Sequence, residues 1–222
     1  MQHSIILLLL LVCISCNSCS QSNPKQTGNA KTGQQEIKVG GNCEGCEAIY
    51  ESPVSFEQLN EVDTLPGFNE PGPKIEISGI IYQRDGKTPA KGVILYIYHT
   101  DKKGIYATKG TESGWAKRHG YTRGWMKTNE KGEYKFYTLV PASYPNSNNP
   151  KHIHPTIKEP GKTEYWIDEF LFDNDPLLPE AERTKNKPVG GSGVLKTSMK
   201  DGMLRATRNI ILGLNVIDYP KQ

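Results

Sequence analysis

The run Gly92-Val-Ile-Leu-Tyr-Ile-Tyr98 is apolar at consecutive positions, so as a β-strand it presents apolar side chains to both faces of its sheet. Such a strand must be covered above and below, which places it in the middle of a layered β structure. Its surroundings agree. After Pro73, Ile75, Ile77 and Ile80 through Tyr82 form a strand-like segment ending at Arg84-Asp85-Gly86-Lys87, a tight-turn signal. A second turn at Asn129-Glu-Lys-Gly132 introduces Glu133 through Val140, and strand-like segments follow at His152–Ile157, Tyr165–Phe172 and Asn209–Ile217. Only Pro179–Thr184 reads as a short helix. The 22 glycines and 15 prolines exceed what helical proteins tolerate, and eleven tyrosines add β preference. The expectation is an all-β fold with few short helices and one core.

The chain ahead of these strands divides into three expected regions. Residues 1–16 read as a signal segment: Ile5–Val12 is an apolar run too short to span a bilayer. Of Cys13, Cys16 and Cys19, Cys16 follows the small Ser15 and is the expected lipid-attachment site. This implies an extracytoplasmic protein held at a membrane only through a lipid anchor, or else a secreted one. Residues 17–40 are polar enough to read as a flexible tether. Residues 41–72 read as an extension carrying Cys43-Glu-Gly-Cys46, and 73–218 as the folded domain. For Cys43 and Cys46 a local disulfide is preferred outside the cytoplasm. A redox-active pair lacks its βαβ setting, and a zinc half-site lacks a second ligand pair. The net charge of +3 is spread without a basic block, so no nucleic-acid surface is indicated. Gly190-Gly-Ser-Gly193 lacks the lysine of a phosphate loop and reads as a flexible turn.

Chemistry is concentrated in Lys151-His-Ile-His154. Strand alternation sends His152 and His154 to one face and Ile153 to the other, so the two imidazoles converge. Val140-Pro-Ala-Ser-Tyr144-Pro145 lies just upstream, a proline-bounded turn that presents Tyr144. Gly104-Ile-Tyr106 follows the buried central strand in the same manner.

Six blocks, Gly79 through Gly86, Gly92 through Tyr98, Asp101 through Tyr106, Thr128 through Phe136, Pro141 through Pro145 and His152-Ile-His154, occur in one order and spacing. In this the chain resembles the intradiol ring-cleavage dioxygenases, the catechol and protocatechuate 3,4-dioxygenase superfamily. The resemblance implies an intradiol dioxygenase-type β-sandwich and a non-heme Fe(III) held by Tyr106, Tyr144, His152 and His154. It also implies a catechol-type substrate cleaved with O2 between its two hydroxyl-bearing carbons, and possible homo-oligomers. Phenolate oxygens suit ferric iron and neutral imidazoles complete the set. Tyr144 takes a catalytic role in proton uptake. Asn149 stands where the family's catalytic arginine would be, and Glu169 aligns with a pocket glutamine. Arg118, Arg123 or Lys151 are the cations that could substitute for the arginine. The acidic Asp168–Asp175 stretch does not match a calcium loop and reads as a turn. The rival readings are a non-catalytic transthyretin-like binding module, and a zinc site at His152 and His154.

Overall fold

The computed structural model describes residues 35–221; the expected signal segment with Cys16, and most of the expected tether, lie outside the described residues. Two six-stranded sheets form the fold. The first contains β1 (Val62–Thr64), β2 (Lys74–Tyr82), β5 (Glu133–Leu139), β10 (Ser198–Lys200), β11 (Met203–Thr207) and β12 (Ile210–Ile211). Its order is β1-β5-β2-β11-β10, with β12 alongside β2. The second contains β3 (Ile94–Tyr98), β4 (Arg123–Lys127), β6 (His152–Lys158), β7 (Tyr165–Trp166), β8 (Phe170–Phe172) and β9 (Val194–Leu195). Its order is β4-β3-β6-β8-β9, with β7 beside β6. Two short helices, α1 (Ala116–His119) and α2 (Glu180–Arg183), lie in the connections. Among the described residues no helix is long and apolar enough to cross a membrane.

The core fills the space between the sheets. Ile75, Ile77 and Ile81 of β2 and Tyr134 and Phe136 of β5 meet Leu95 and Ile97 of β3, Met126 of β4, and Ile153 and Ile157 of β6. Alternation explains each set: these residues are two or four positions apart, so they share one face. The other face of β3 carries Ile94 and Tyr96, which cluster with Ala48, Ile49 and Trp125. The apolar run of β3 is therefore two-sided because the segment 46–59 covers its outer face.

That segment moves the domain boundary expected at residue 73. β1 pairs in parallel with β5, and Val39 is buried in the main core at 1% exposure. Ile37 donates its N–H to the Gly161 carbonyl at 2.9 Å. Residues 35–72 are part of the sandwich because β3, β5 and Tyr165 each need a cover that the later chain does not supply.

Other elements depart from expectation locally. The segment 123–127, assigned to no strand in the sequence, is strand β4. The expected strand Tyr165–Phe172 is broken into β7 and β8, and the expected final strand over Asn209–Ile217 shrinks to β12. The C-terminal hairpin lies earlier, at β10 and β11. Asp201 and Gly202 both adopt positive φ at its turn, 51° and 78°, the geometry that an Asp-Gly pair favours. Gly193, expected in a flexible turn, is a close-approach position: a Cβ there would lie 1.8 Å from the Glu169 carbonyl oxygen.

His99, at the end of β3, ties the two sheets together. Its Nδ1–H donates to the Thr100 carbonyl and its Nε2 accepts from Thr138 Oγ1 in β5, both at 2.7 Å. Burial pushes its pKa down to about 4. In the unfolded chain it titrates near the ordinary value of about 6.5. The unfolded state thus binds the extra proton first, and stability is fully present above about pH 6.5 and lost as pH falls toward about 4. The expected loss from this residue is on the order of 3 kcal/mol. Urea midpoints at pH 7 and pH 4 should differ accordingly, and the His99→Gln variant should show a smaller difference.

Candidate metal centre

His152 and His154 project from the start of β6 while Ile153, fully buried, points into the core. Tyr106 and Tyr144 arrive on two loops that are joined to each other. Ala142 donates its N–H to the Asp101 carbonyl (3.1 Å), and Thr100 Oγ1 donates to the Ala142 carbonyl (2.7 Å). Gly104 presses on the Ser143 carbonyl so closely that a Cβ would lie 2.0 Å from it, at a φ of +76° that glycine alone adopts readily.

The structure brings all four side chains together. Tyr106 Oη lies 2.7 Å from His154 Nε2 and in close contact with Tyr144 Oη. Tyr144 Oη is 3.0 Å from His152 Nε2 and 3.3 Å from His154 Nε2, and the two Nε2 atoms are 3.0 Å apart. Ligands about 2.1 Å from one metal ion and at right angles to each other lie about 3 Å apart, so these separations fit a shared cation.

Proton placement points the same way. His152 donates Nδ1–H to the Pro150 carbonyl at 2.7 Å, and His154 Nδ1 faces the Glu169 carboxylate at 3.0 Å. With those protons committed, neutral imidazoles turn their Nε2 lone pairs toward each other. Only the two phenolic protons remain among four converging atoms, and a cation would relieve the lone-pair repulsion. Burial raises both phenol pKa values, with the Tyr144 contact raising Tyr106 further. A bound ion would therefore have to displace those protons. Burial lowers the His152 pKa, keeping that imidazole neutral.

Glu169 stands behind His154 rather than among the converging atoms. His152, His154 and Glu169 offer ligand atoms within 4.8 Å of one another. The carboxylate nevertheless engages Nδ1, the ring nitrogen turned away from the phenols, which is the position of a partner that orients a ligand. Burial raises the Glu169 pKa, but the hydrogen bond from His154, with Lys185 among the nearby cations, outweighs it and the net direction is down. Asp175 plays a similar part for the strand, accepting the Lys151 N–H at 2.7 Å.

Three neighbours were not legible as site residues. Tyr98 is opposite His154 in the β3–β6 register and stacks on its ring, centroids 4.6 Å apart. His119 stacks on Tyr98 at 3.7 Å and meets Tyr96 Oη at 2.8 Å through Nδ1. Gly193 holds the Glu169 backbone. Each depends on a strand pairing that no local pattern announces, although the β-strand spacing of Tyr96 and Tyr98 assigns both to one face.

A cleft of about 720 Å³ opens onto the cluster, lined by Tyr98, Tyr144, His152, His154 and Glu169 among others, with Tyr106 outside the lining. Asn149 is exposed on its wall, and its N–H donates to Ser147 Oγ at 3.1 Å. None of Arg118, Arg123 and Lys151 lines it. Arg118 pairs with Glu44, Arg123 with Glu51, and Lys151 lies over the Phe172 ring. Cys43 and Cys46 are joined by a disulfide, Cα atoms 5.6 Å apart, and their segment forms part of the cleft wall.

Comparison with known proteins places the chain in a family. The dioxygenase family model matches residues 50–199, more than half of the chain. Catechol 1,2-dioxygenase 1 of Acinetobacter lwoffii is 26% identical over 139 residues, which are 54% of this chain and 42% of that protein. The chain thus spans about two-fifths of the length of this curated relative. The fold is similar to that of an intradiol ring-cleavage dioxygenase from Tetranychus urticae, with TM-score 0.50, 18% identity, and coverage of 78% of this chain and 94% of that one. It is also similar to the dioxygenase domain of a dioxygenase carbohydrate-binding protein fusion from Streptomyces sp. SirexAA-E, with TM-score 0.50, 22% identity, and coverage of 65% and 82%. With its two-sheet β-sandwich and this match, the chain belongs to the intradiol ring-cleavage dioxygenase family.

Proposed function

We propose that the protein is a non-heme Fe(III)-dependent dioxygenase that opens an ortho-dihydroxylated aromatic ring between its two hydroxylated carbons, with O2 as co-substrate. The observation that carries this reading is the convergence of two phenol oxygens and two imidazole Nε2 atoms at the floor of an open cleft. Tyr106, Tyr144, His152 and His154 would hold the metal. A ferric ion bound there would acidify a catechol and activate its ring toward O2.

The protein's own groups divide the remaining work. Tyr144 lines the cleft, and its hydroxyl touches both histidines, so its phenolate is placed to accept a proton from an incoming substrate hydroxyl. Tyr106, outside the cleft lining, remains in place, and Glu169 and Pro150 fix the imidazole orientations. Asn149 offers the cleft a neutral hydrogen-bond donor. Iron-dependent uptake of one O2 per catechol by the purified protein supports the reading, and no uptake by the iron-loaded protein would sink it.

The exposed Asn149, with no arginine in the cleft lining, favours as a second reading a domain that binds catechols without opening them. A catechol complex that is stable in air would favour this alternative. The Cys43–Cys46 disulfide supports an extracytoplasmic location, as Cys16 suggests from the sequence.

Glu169 gives the centre a testable support. Glu169→Ala should weaken iron binding by about 10–100-fold, and Glu169→Gln by less because an amide oxygen still accepts the Nδ1–H. Competition with a chelator measures both.

A further inference from the structure

The cleft is larger and more acidic than a bare dihydroxybenzene requires. About 720 Å³ is the size of a site for a ligand several times larger than one ring. Among the described residues its lining includes the carboxylates of Glu44, Asp168, Glu169 and Glu182 and a single lysine, Lys185. Lys185 is already engaged: its Nζ lies 3.0 Å from Asp168 and 3.8 Å from Glu182. Glu169 is held by His154. Glu44 is itself paired with Arg118 at 2.6 Å, so among the described residues the four lining carboxylates face two cations, Lys185 and Arg118, and keep an excess of negative charge that a substrate carboxylate would meet with like charge. Trp166, 38% exposed, adds an aromatic wall on which an alkyl chain or a cation can rest. The converging oxygen and nitrogen atoms at the floor mark this as a ligand site independently of the acidic rim.

From this we infer that the cleft selects ortho-dihydroxylated rings bearing an extended cationic substituent, such as an alkylammonium, and discriminates against ring carboxylates. The inference rests on the ring-cleavage reading for the orientation of the diol toward the floor. Glu44 and Glu182 are then specificity-determining residues that attract the substituent.

The test is anaerobic calorimetry of the ferric-loaded protein with catechol, 4-(2-aminoethyl)catechol and 3,4-dihydroxybenzoate. The aminoethyl ligand should bind about tenfold or more tightly than the carboxylate, with catechol between them, since each like- or opposite-charge pair near the surface contributes up to several-fold. In the Glu44→Gln/Glu182→Gln double variant this ratio should shrink about fivefold, and it should also shrink at high salt. Carboxylate binding that equals or exceeds amine binding overturns the inference, as does an unchanged ratio in the double variant. If none of the three ligands binds, the ring-cleavage reading itself fails and takes the inference with it.

Discussion

Replacing His154 by alanine is expected to strip the protein of iron and reduce ring cleavage by about a thousandfold or more, because the imidazole is central to the cluster. Its Nε2 touches Tyr106, Tyr144 and His152, so its loss opens the site to water on the side facing both phenols. It also leaves Glu169 without its partner and removes the ring on which Tyr98 stacks. The fold should survive, since β6 meets the core through Ile153 and Ile157 and not through His154. Iron content and O2 uptake should therefore collapse while the melting temperature moves by only a few degrees. A variant that keeps its iron and a rate within tenfold of the parent would remove His154 from the ligand set.

The largest effect on stability is expected from Phe136→Ala. Phe136 is fully buried between the sheets, edge-on to Phe170 with centroids 5.8 Å apart and stacked near Tyr134. It lies on β5, which pairs with both β1 and β2, so the backbone cannot move in to fill the hole. Truncating a buried phenylalanine costs about 3–5 kcal/mol, a large share of the roughly 5–15 kcal/mol that holds a domain together. For a domain of this size the melting temperature should fall by about 10 °C, and urea denaturation should give the same ordering. Iron binding at 25 °C should persist in the fraction that remains folded.

The sequence made the centre of the sandwich legible and its edges much less so. β2 and β5 follow their own side-chain alternation, and the run over residues 92–98, which contains β3, required a cover on both faces. What that cover would be could not be read, because Ile49, Phe56 and Leu59 are scattered among polar residues and acquire meaning only against Tyr96 and Trp125. β4 was hidden because Arg123-Gly-Trp-Met-Lys127 begins and ends with a cation and follows Lys117-Arg-His119, which resembles a solvated loop. β10 and β11 were hidden because an edge hairpin has little apolar content, despite the Asp201-Gly202 turn signal.

At the candidate site the difference is physical as well. His152 and His154 converge by strand geometry, which local sequence encodes. Tyr106 and Tyr144 are on loops, where no period applies, and only family resemblance connected them to the histidines. Glu169 was noticed as a departure from a glutamine, but its partner follows from the break between β7 and β8 and from the close approach of Gly193. The three cations considered as replacements for the missing arginine were near Asn149 or the loops in sequence, yet Arg123 and Lys151 are turned to partners elsewhere and Arg118 is held by Glu44 of the cleft lining.

The most direct measurement is the visible spectrum of the purified protein with one equivalent of ferric iron, recorded with and without catechol in the absence of O2. Phenolate coordination by Tyr106 and Tyr144 should give a broad charge-transfer band that shifts when catechol binds, while the His154→Ala variant stays colourless. A protein that remains colourless with added ferric iron, before and after catechol, would contradict the four-ligand centre.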